Sequence, residues 1–171
     1  MKVNSELIFR RRSIRKYTQR QIIDEATILH FLNAGMCAPS ARNKQPWQFI
    51  VVNDPAILDI LSERHPYGKM LKEASLAILI CGDKGIDDNE SYLLQNCAAA
   101  TQNILLAVHA EGLGAVWLGI HPREERMHMC RELFSLPECI MPVALISIGI
   151  PDEEKSPNNN YEQSKVHWNK W

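Results

Sequence analysis

Short, continuously apolar runs alternate along this chain with longer stretches in which apolar residues recur every three or four positions. The runs are Trp47–Val52 (WQFIVV), 76–81 (LAILIC), Ala115–Ile120 (AVWLGI) and 142–149 (PVALISIG), and their length and branched side chains predict buried strands. Helical spacing fits 25–36 (EATILHFLNAGM), where Ile28, Leu29, Leu32 and Met36 recur behind an Asp24 N-cap and Pro39 stops the pattern. Asp54-Pro55 opens another helix through about Glu63, with Pro at its first position. Residues 5–12 read as a short helix behind Asn4/Ser5 that breaks near Ser13, and 65–74 as a loop with a short helix. The longest helical pattern, 90–111, is rich in Ala and Leu and apolar on several sides, so a central rather than a surface position is expected. Gly112 and Gly114 end it, and Pro122 is expected to begin a helix to about Phe134.

These elements imply a central sheet with helices on both faces. There are no internal repeats and no linker long enough to divide the chain, so residues 1–171 are expected to form a single domain. The tail from Pro151 is polar, yet it closes on Val166-His167-Trp168-Asn169-Lys170-Trp171. Two tryptophans beyond the last core strand need a surface to cover, and an arm exchanged between protomers would supply one.

Composition narrows the class of protein. At 171 residues, 46% apolar and 23% charged, the chain has the make-up of a soluble globular domain. Nineteen Lys+Arg against 20 Asp+Glu leave a net charge of −1, which argues against coating nucleic acid. No apolar run approaches the roughly 18–20 residues of a membrane span, and MKVNSELIFRRRS lacks the apolar core of a secretory signal, so a cytoplasmic location is expected. Five widely spaced cysteines (Cys37, Cys81, Cys97, Cys130, Cys139), with no C-x-x-C, suggest reduced and mostly buried thiols. A zinc site from Cys130, Cys139, His121 and His128 lacks close ligand spacing.

Against that near-neutral background, residues 10–16 place five cations in seven positions around Ser13. Guanidinium groups beside a hydroxyl and backbone N–H groups suit a dianionic phosphate. A solvated basic face, or cations answering a helix C-terminus, would produce the same run. Two further segments could meet a ligand. The loop 38–47 (APSARNKQPW) is dense in amides, a hydroxyl and cations, although Pro, Ser and Asn also serve a plain turn. The stretch 113–119 (LGAVWLG) carries two glycines that admit close backbone approach, or simply make a tight helix-to-strand turn. No G-x-G-x-x-G, G-x-S-x-G, Walker A or H-E-x-x-H occurs. His30 lies on an apolar face and reads as a partly buried, satisfied histidine, and Cys37 has no cationic partner readable in the sequence. A phosphate-type cluster without an evident acid, base or nucleophile fits a protein whose cofactor carries the chemistry.

Taken in order, RRSIRKY, APSARNKQPWQFIVV, GLGAVWLGIHPREER, LPECIMPVALISIGIP and the terminal VHWNKW resemble the short, single-domain members of the FMN-dependent nitroreductase family, over nearly the whole chain. The resemblance implies an α+β, three-layer fold with a central, mainly antiparallel sheet, and a homodimer with FMN at the interface and the tail 151–171 on the partner subunit. Residue by residue, Arg11, Arg12, Ser13 and Arg15 match R-x-S-x-R/K. The first three would hold the ribityl phosphate, and Arg15 would lie at the N1/C2-carbonyl edge of the ring, where a cation favours the reduced flavin. Pro39, Ser40, Ala41, Asn43 and Gln45 match P-S-x-x-N-x-Q, expected to reach the cofactor from the partner. Lys69 matches a lysine at the pyrimidine edge, and Ala115, Val116, Trp117, Leu118 and Gly119 match the stretch whose backbone faces the ring and its N5.

The tail departs from the family. Where relatives carry arginines before the Tyr/Phe-x-x-x-x-[Val/Ile]-His segment, this chain has Ser156-Pro157-Asn158-Asn159-Asn160-Tyr161. Neutral amides such as Asn160 would hold a phosphate less strongly than charged donors, which predicts weaker FMN retention or more reliance on Arg10 to Arg15. The implied activity is an oxidoreductase that uses NADH or NADPH to reduce flavin, and then a nitroaromatic, quinone or similar small-molecule acceptor, by a ping-pong mechanism. No protein nucleophile is required, and neither a membrane nor nucleic acid is an expected partner. A flavin-binding sensor or partner-controlled module with little turnover is the alternative. DNA binding through the arginine run would show a steep salt dependence.

Overall fold

A computed structural model describes residues 6–171. The expected cap at Asn4/Ser5 lies outside that range. The elements run α1 (Glu6–Arg10), α2 (Glu25–Met36), β1 (Trp47–Val52), α3 (Pro55–Arg64), β2 (Leu76–Asp83), α4 (Glu90–Ala110), β3 (Gly114–Gly119), α5 (Glu124–Phe134) and β4 (Ile140–Gly149), with 3₁₀ turns at Ala41–Asn43, Lys69–Lys72 and Gln163–Lys165. The four strands form one antiparallel sheet in the order β1-β2-β4-β3.

Period-two alternation sends the two faces of β2 into different cores. Leu76, Ile78 and Ile80 pack with α2 and α4 through Ile28, Phe31, Leu93, Cys97, Ala100, Ile104 and Val108. Ala77, Leu79 and Cys81 pack with α3 and α5 through Leu58, Leu61, Met129 and Cys130. A sheet covered on both faces explains why its inner strands read as unbroken apolar runs. Fully burying each large aliphatic side chain is worth about 1.5–3 kcal/mol, so these two layers dominate the stabilisation. Among the described residues no helix is long and apolar enough to cross a membrane.

Several sequence expectations shift by a few residues. β4 begins at Ile140, not Pro142, because a register slip between Ile80 and Cys81 lets a residue without an N–H sit inside the strand. α5 starts at Glu124, two residues after Pro122, and places Glu124 and Glu125 in its first turn. α1 ends at Arg10, which frees Arg11 to Tyr17 to extend. His30 is exposed rather than partly buried, 3.9 Å from Glu111. Cys81, Cys97 and Cys130 are buried thiols, but Cys37 and Cys139 are exposed.

Candidate functional site

The segment that follows α1 lies along the free edge of β3. Ser13 forms a parallel bridge with Ala115, and the Ile14 N–H donates to the Ala115 carbonyl at 2.9 Å. Four residues on, Tyr17 bridges Pro151, and the Thr18 N–H donates to the Ile150 carbonyl at 3.0 Å. Two glycines permit this approach. A Cβ on Gly114 would stand 2.7 Å from Ile14 Cγ2, and one on Gly149 would stand 2.7 Å from the Tyr17 ring. The Tyr17 hydroxyl lies 3.1 Å from both the Ile14 and Ser147 carbonyls and donates its one hydrogen between them. Burial, its largest influence, pushes the Tyr17 phenol up to about 12, so it remains a donor.

The parity of β3 follows from that pairing. Because Ala115 points its carbonyl at Ile14, residues 115, 117 and 119 direct their peptide groups away from β4. Beyond Ala115 the edge is open at Trp117 and is covered again at Gly119. There Arg126 Nη1 donates to the Gly119 carbonyl at 2.7 Å and His65 Nε2 approaches it at 3.3 Å. His65 Nδ1 accepts from the Tyr67 N–H at 3.2 Å, which assigns the proton to Nε2. Burial depresses the His65 pKa, with the Arg126 cation adding to the effect against the Gly119 bond. The Arg126 guanidinium also lies 5.4 Å from the centre of the Tyr67 ring. Arg15, His65, Tyr67 and residues 116–119 enclose a groove of about 220 Å³.

The tail ties the basic segment down. The Asp152 N–H donates to the Lys16 carbonyl at 2.9 Å, and Glu153 Oε1 accepts from the N–H groups of Arg15 (2.5 Å) and Lys16 (3.2 Å). Those bonds, the Arg15 N–H first, hold the Glu153 carboxyl below the usual range. Lys155 Nζ donates to the Ser13 carbonyl at 2.7 Å and pairs with Glu153 at 3.1 Å. Arg12 Nη1 donates to the Ser156 carbonyl, and the Asn158 N–H donates to the Phe9 carbonyl at 3.0 Å. Arg10, Arg12, His109 and Lys155 surround a second cavity of about 350 Å³ floored by Ile14, Leu113 and Pro151. Lys155 was not legible as a site residue, since it stands in a plain acidic stretch, Asp152-Glu153-Glu154-Lys155.

The amide-rich loop lies elsewhere. Arg42, Asn43 and Gln45 all have left-handed backbones, at φ 55°, 55° and 50°, and none is glycine. Each costs of order 1 kcal/mol or more, so the surroundings must impose the conformation. Ser40 Oγ accepts from the Gln45 N–H at 3.0 Å, Asn96 Oδ1 on α4 accepts from the Ala41 N–H at 3.0 Å, and Lys44 Nζ donates to the buried Asp87 at 3.0 Å. Pro39, Ser40 and Ala41 line a cavity of about 340 Å³ with Tyr92 and Asn96. Asn96 and His109 are thirteen positions apart on α4, about 20 Å along its axis.

The predicted residues therefore fall into two groups. Arg11, Arg12, Ser13, Arg15 and Ala115 to Gly119 come together on the β3 edge, whereas Lys69 is exposed and does not line the groove, although Tyr67 two positions before it does. Pro39 to Gln45 stand at the other half of α4, and Asn160 is exposed beyond the zipped part of the tail. Among the described residues, the buried side-chain atoms without a partner are Asp87 Oδ2, Asn96 Nδ2, Arg126 Nε and Ser147 Oγ. Asp87 and Asn96 support the loop, Arg126 holds the end of β3, and the carbonyl of Ser147 receives Tyr17. Local rules fail where they would at a functional site.

Comparison with known proteins finds the same chain order elsewhere. The nitroreductase family profile matches residues 8–65 and 58–150. An Archaeoglobus fulgidus protein provisionally named an NADH dehydrogenase/NAD(P)H nitroreductase is 45% identical over 170 residues, covering 97% of each chain. A crystal structure from Parabacteroides distasonis with the same provisional name superposes at TM-score 0.92 with 40% identity, covering 97% of both chains. A provisional nitroreductase from Desulfovibrio desulfuricans, solved in complex with FMN, superposes at TM-score 0.83 with 33% identity, covering 97% of this chain and 96% of that one.

Proposed function

This chain belongs to the nitroreductase family, and we propose on that premise that it is a homodimeric FMN-dependent oxidoreductase driven by NADH or NADPH. The observation that carries the reading is the Ile14–Ala115 pairing, which lays the Arg-rich segment along the open edge of β3. The donor set fits FMN. Arg11, Arg12 and the Ser13 hydroxyl lie on one short stretch, the tail brings Lys155 beside Ser13, and together they offer a phosphate three cations and a neutral donor, while Arg15 extends into the adjoining groove. The outward peptide group at Trp117 and the outward N–H of Gly119 can hydrogen-bond a ring edge, and Trp117 is partly exposed there.

When bound, FMN supplies hydride acceptance from NAD(P)H and hydride donation to a nitroaromatic, quinone or similar small acceptor in a ping-pong cycle. The protein's part is to bind and orient. His65 and Arg126 fix the Gly119 peptide, and both nitrogens of His65 are engaged. The Arg15 cation favours negative charge on a ring held beside it.

Completion of the site by a second subunit is supported by the separation of the two half-sites on α4. The 40–45 loop would come from the partner. Past Asn158 the tail leaves its own chain, and Tyr161, Trp168 and Trp171 are 74%, 84% and 101% exposed, aromatic surface that a partner would cover. The expectation of weak FMN retention is softened by Lys155, which supplies a tail cation where the Asn158–Asn160 amides do not. Anaerobic titration of the yellow protein with NADH and NADPH, followed at the flavin absorbance, tests the proposal. Bleaching by either nicotinamide supports it; a bound flavin that neither reduces refutes the cycle and favours a binding module.

A further inference from the structure

We infer that the Lys44–Asp87 ion pair is a positioning device that locks residues 40–45 in their left-handed backbone, so that Asn43 and Gln45 are presented to flavin in one geometry. The flavin half of this inference rests on the proposed function; the locking half does not. Asp87 is 2% exposed, in the connection between β2 and α4. Its Oδ1 receives both Lys44 Nζ (3.0 Å) and the Asn89 N–H (3.3 Å), whereas Oδ2 has no partner.

Such a pair is a poor device for stability. Desolvating two charges consumes most of their attraction, and an oxygen left without a donor makes the balance worse. What the pair supplies is direction. Lys44 stands between Asn43 and Gln45, the two left-handed residues whose side chains carry amides. If either relaxed to an ordinary backbone conformation, the Lys44 stem would swing and Nζ would leave a buried carboxylate unpaired. The strain can therefore be released only by stranding a charge, and the loop stays in its unfavourable state. Flanking anchors act in the same sense: Asn96 Oδ1 holds the Ala41 N–H at 3.0 Å, and the Asp83 N–H donates to the Pro46 carbonyl at 2.8 Å.

The test uses Lys44→Met, Asp87→Asn, the double variant and Lys44→Arg in the full-length protein, with two readouts. Trypsin cleavage after Arg42 in flavin-free protein reports the order of the loop, and titration with FMN and with riboflavin reports its presentation. We expect cleavage at least tenfold faster in both single variants and in the double variant. Affinity should fall about tenfold, equally for FMN and riboflavin, because the proposed function gives the phosphate to the Arg-rich segment and leaves this loop the ring. The double variant should melt close to wild type, since it strands no charge, yet keep the affinity loss; Lys44→Arg should retain most of the affinity. Unchanged cleavage in the double variant overturns the locking role. Faster cleavage with flavin affinity within twofold of wild type overturns the presentation role. Wild-type protein that binds no flavin overturns both that role and the proposed function, while the cleavage arm still decides the lock.

Discussion

Replacing Gly149 by alanine tests whether the basic segment depends on its seat against the sheet. The new methyl would stand 2.7, 2.9 and 3.2 Å from Tyr17 Cγ, Cδ1 and Cβ. Carbon atoms rest at about 3.5–4.0 Å, so the ring must retreat by about 1 Å. It has nowhere to go without cost, because Tyr17 is 4% exposed and its hydroxyl is held at 3.1 Å from Ile14 O and Ser147 O. Overpacking costs about 1–3 kcal/mol and a weakened buried hydroxyl about 1 kcal/mol more. Alanine in a strand recovers about 0.5–1 kcal/mol relative to glycine. The clash wins, with a net loss of about 1–3 kcal/mol, measurable by urea unfolding of flavin-free protein. The ring retreat also moves Ile14 and Arg15, so FMN affinity should fall in the same variant. In a Tyr17→Ala background the ring contacts vanish and only the residue 17 Cβ remains, 3.2 Å from the new methyl, a contact relieved by a shift of a few tenths of an ångström, so Gly149→Ala should then cost less than about 1 kcal/mol. Equal costs in the two backgrounds, or destabilisation with unchanged FMN affinity, would refute the reasoning.

Three further outcomes are expected. Lys155→Met should weaken FMN several-fold and leave riboflavin unchanged, and Asn160→Arg should tighten FMN; parallel losses for both flavins would make Lys155 a structural residue only. His65 has a folded-state pKa below its unfolded value of about 6.5, so below that pH the unfolded chain takes up a proton that the folded protein resists. Stability should fall as pH drops through this window, His65 should add no pH dependence above it, and His65→Gln should flatten that limb of a melting-temperature profile; an unchanged slope contradicts the assignment. A thiol reagent on native protein should label Cys37 and Cys139 promptly. It should spare Cys81, Cys97 and Cys130, whose pKa values burial pushes up to about 12; rapid labelling of all five would show that the core opens.

Much of the fold was legible because burial leaves a local mark. Trp47–Val52 is legible to the residue, since Pro46 precedes it and Asp54-Pro55 opens the next helix, whereas Pro142 hides the start of β4 because its tolerance depends on a bulge paired with β2. The apolar helical stretch around His30 hides an outer face that points to solvent beside Glu111. The site was legible only as far as its motifs. Arg11 to Arg15 and 115–119 stand out in sequence, yet His65 and Arg126 meet on one carbonyl from separate elements, and no local pattern marks them.

Hydrophobic periodicity by itself determined the helices, the strands and a sheet covered on both sides, because each is a demand that a residue shares with its near neighbours. The placement of the basic segment on the β3 edge, the arrival of Lys155 at Ser13 and the capture of Lys44 by Asp87 were decided by tertiary structure alone. Each joins groups tens of positions or more apart in the chain, and their attraction has no direction until the sheet and α4 bring them within hydrogen-bond reach.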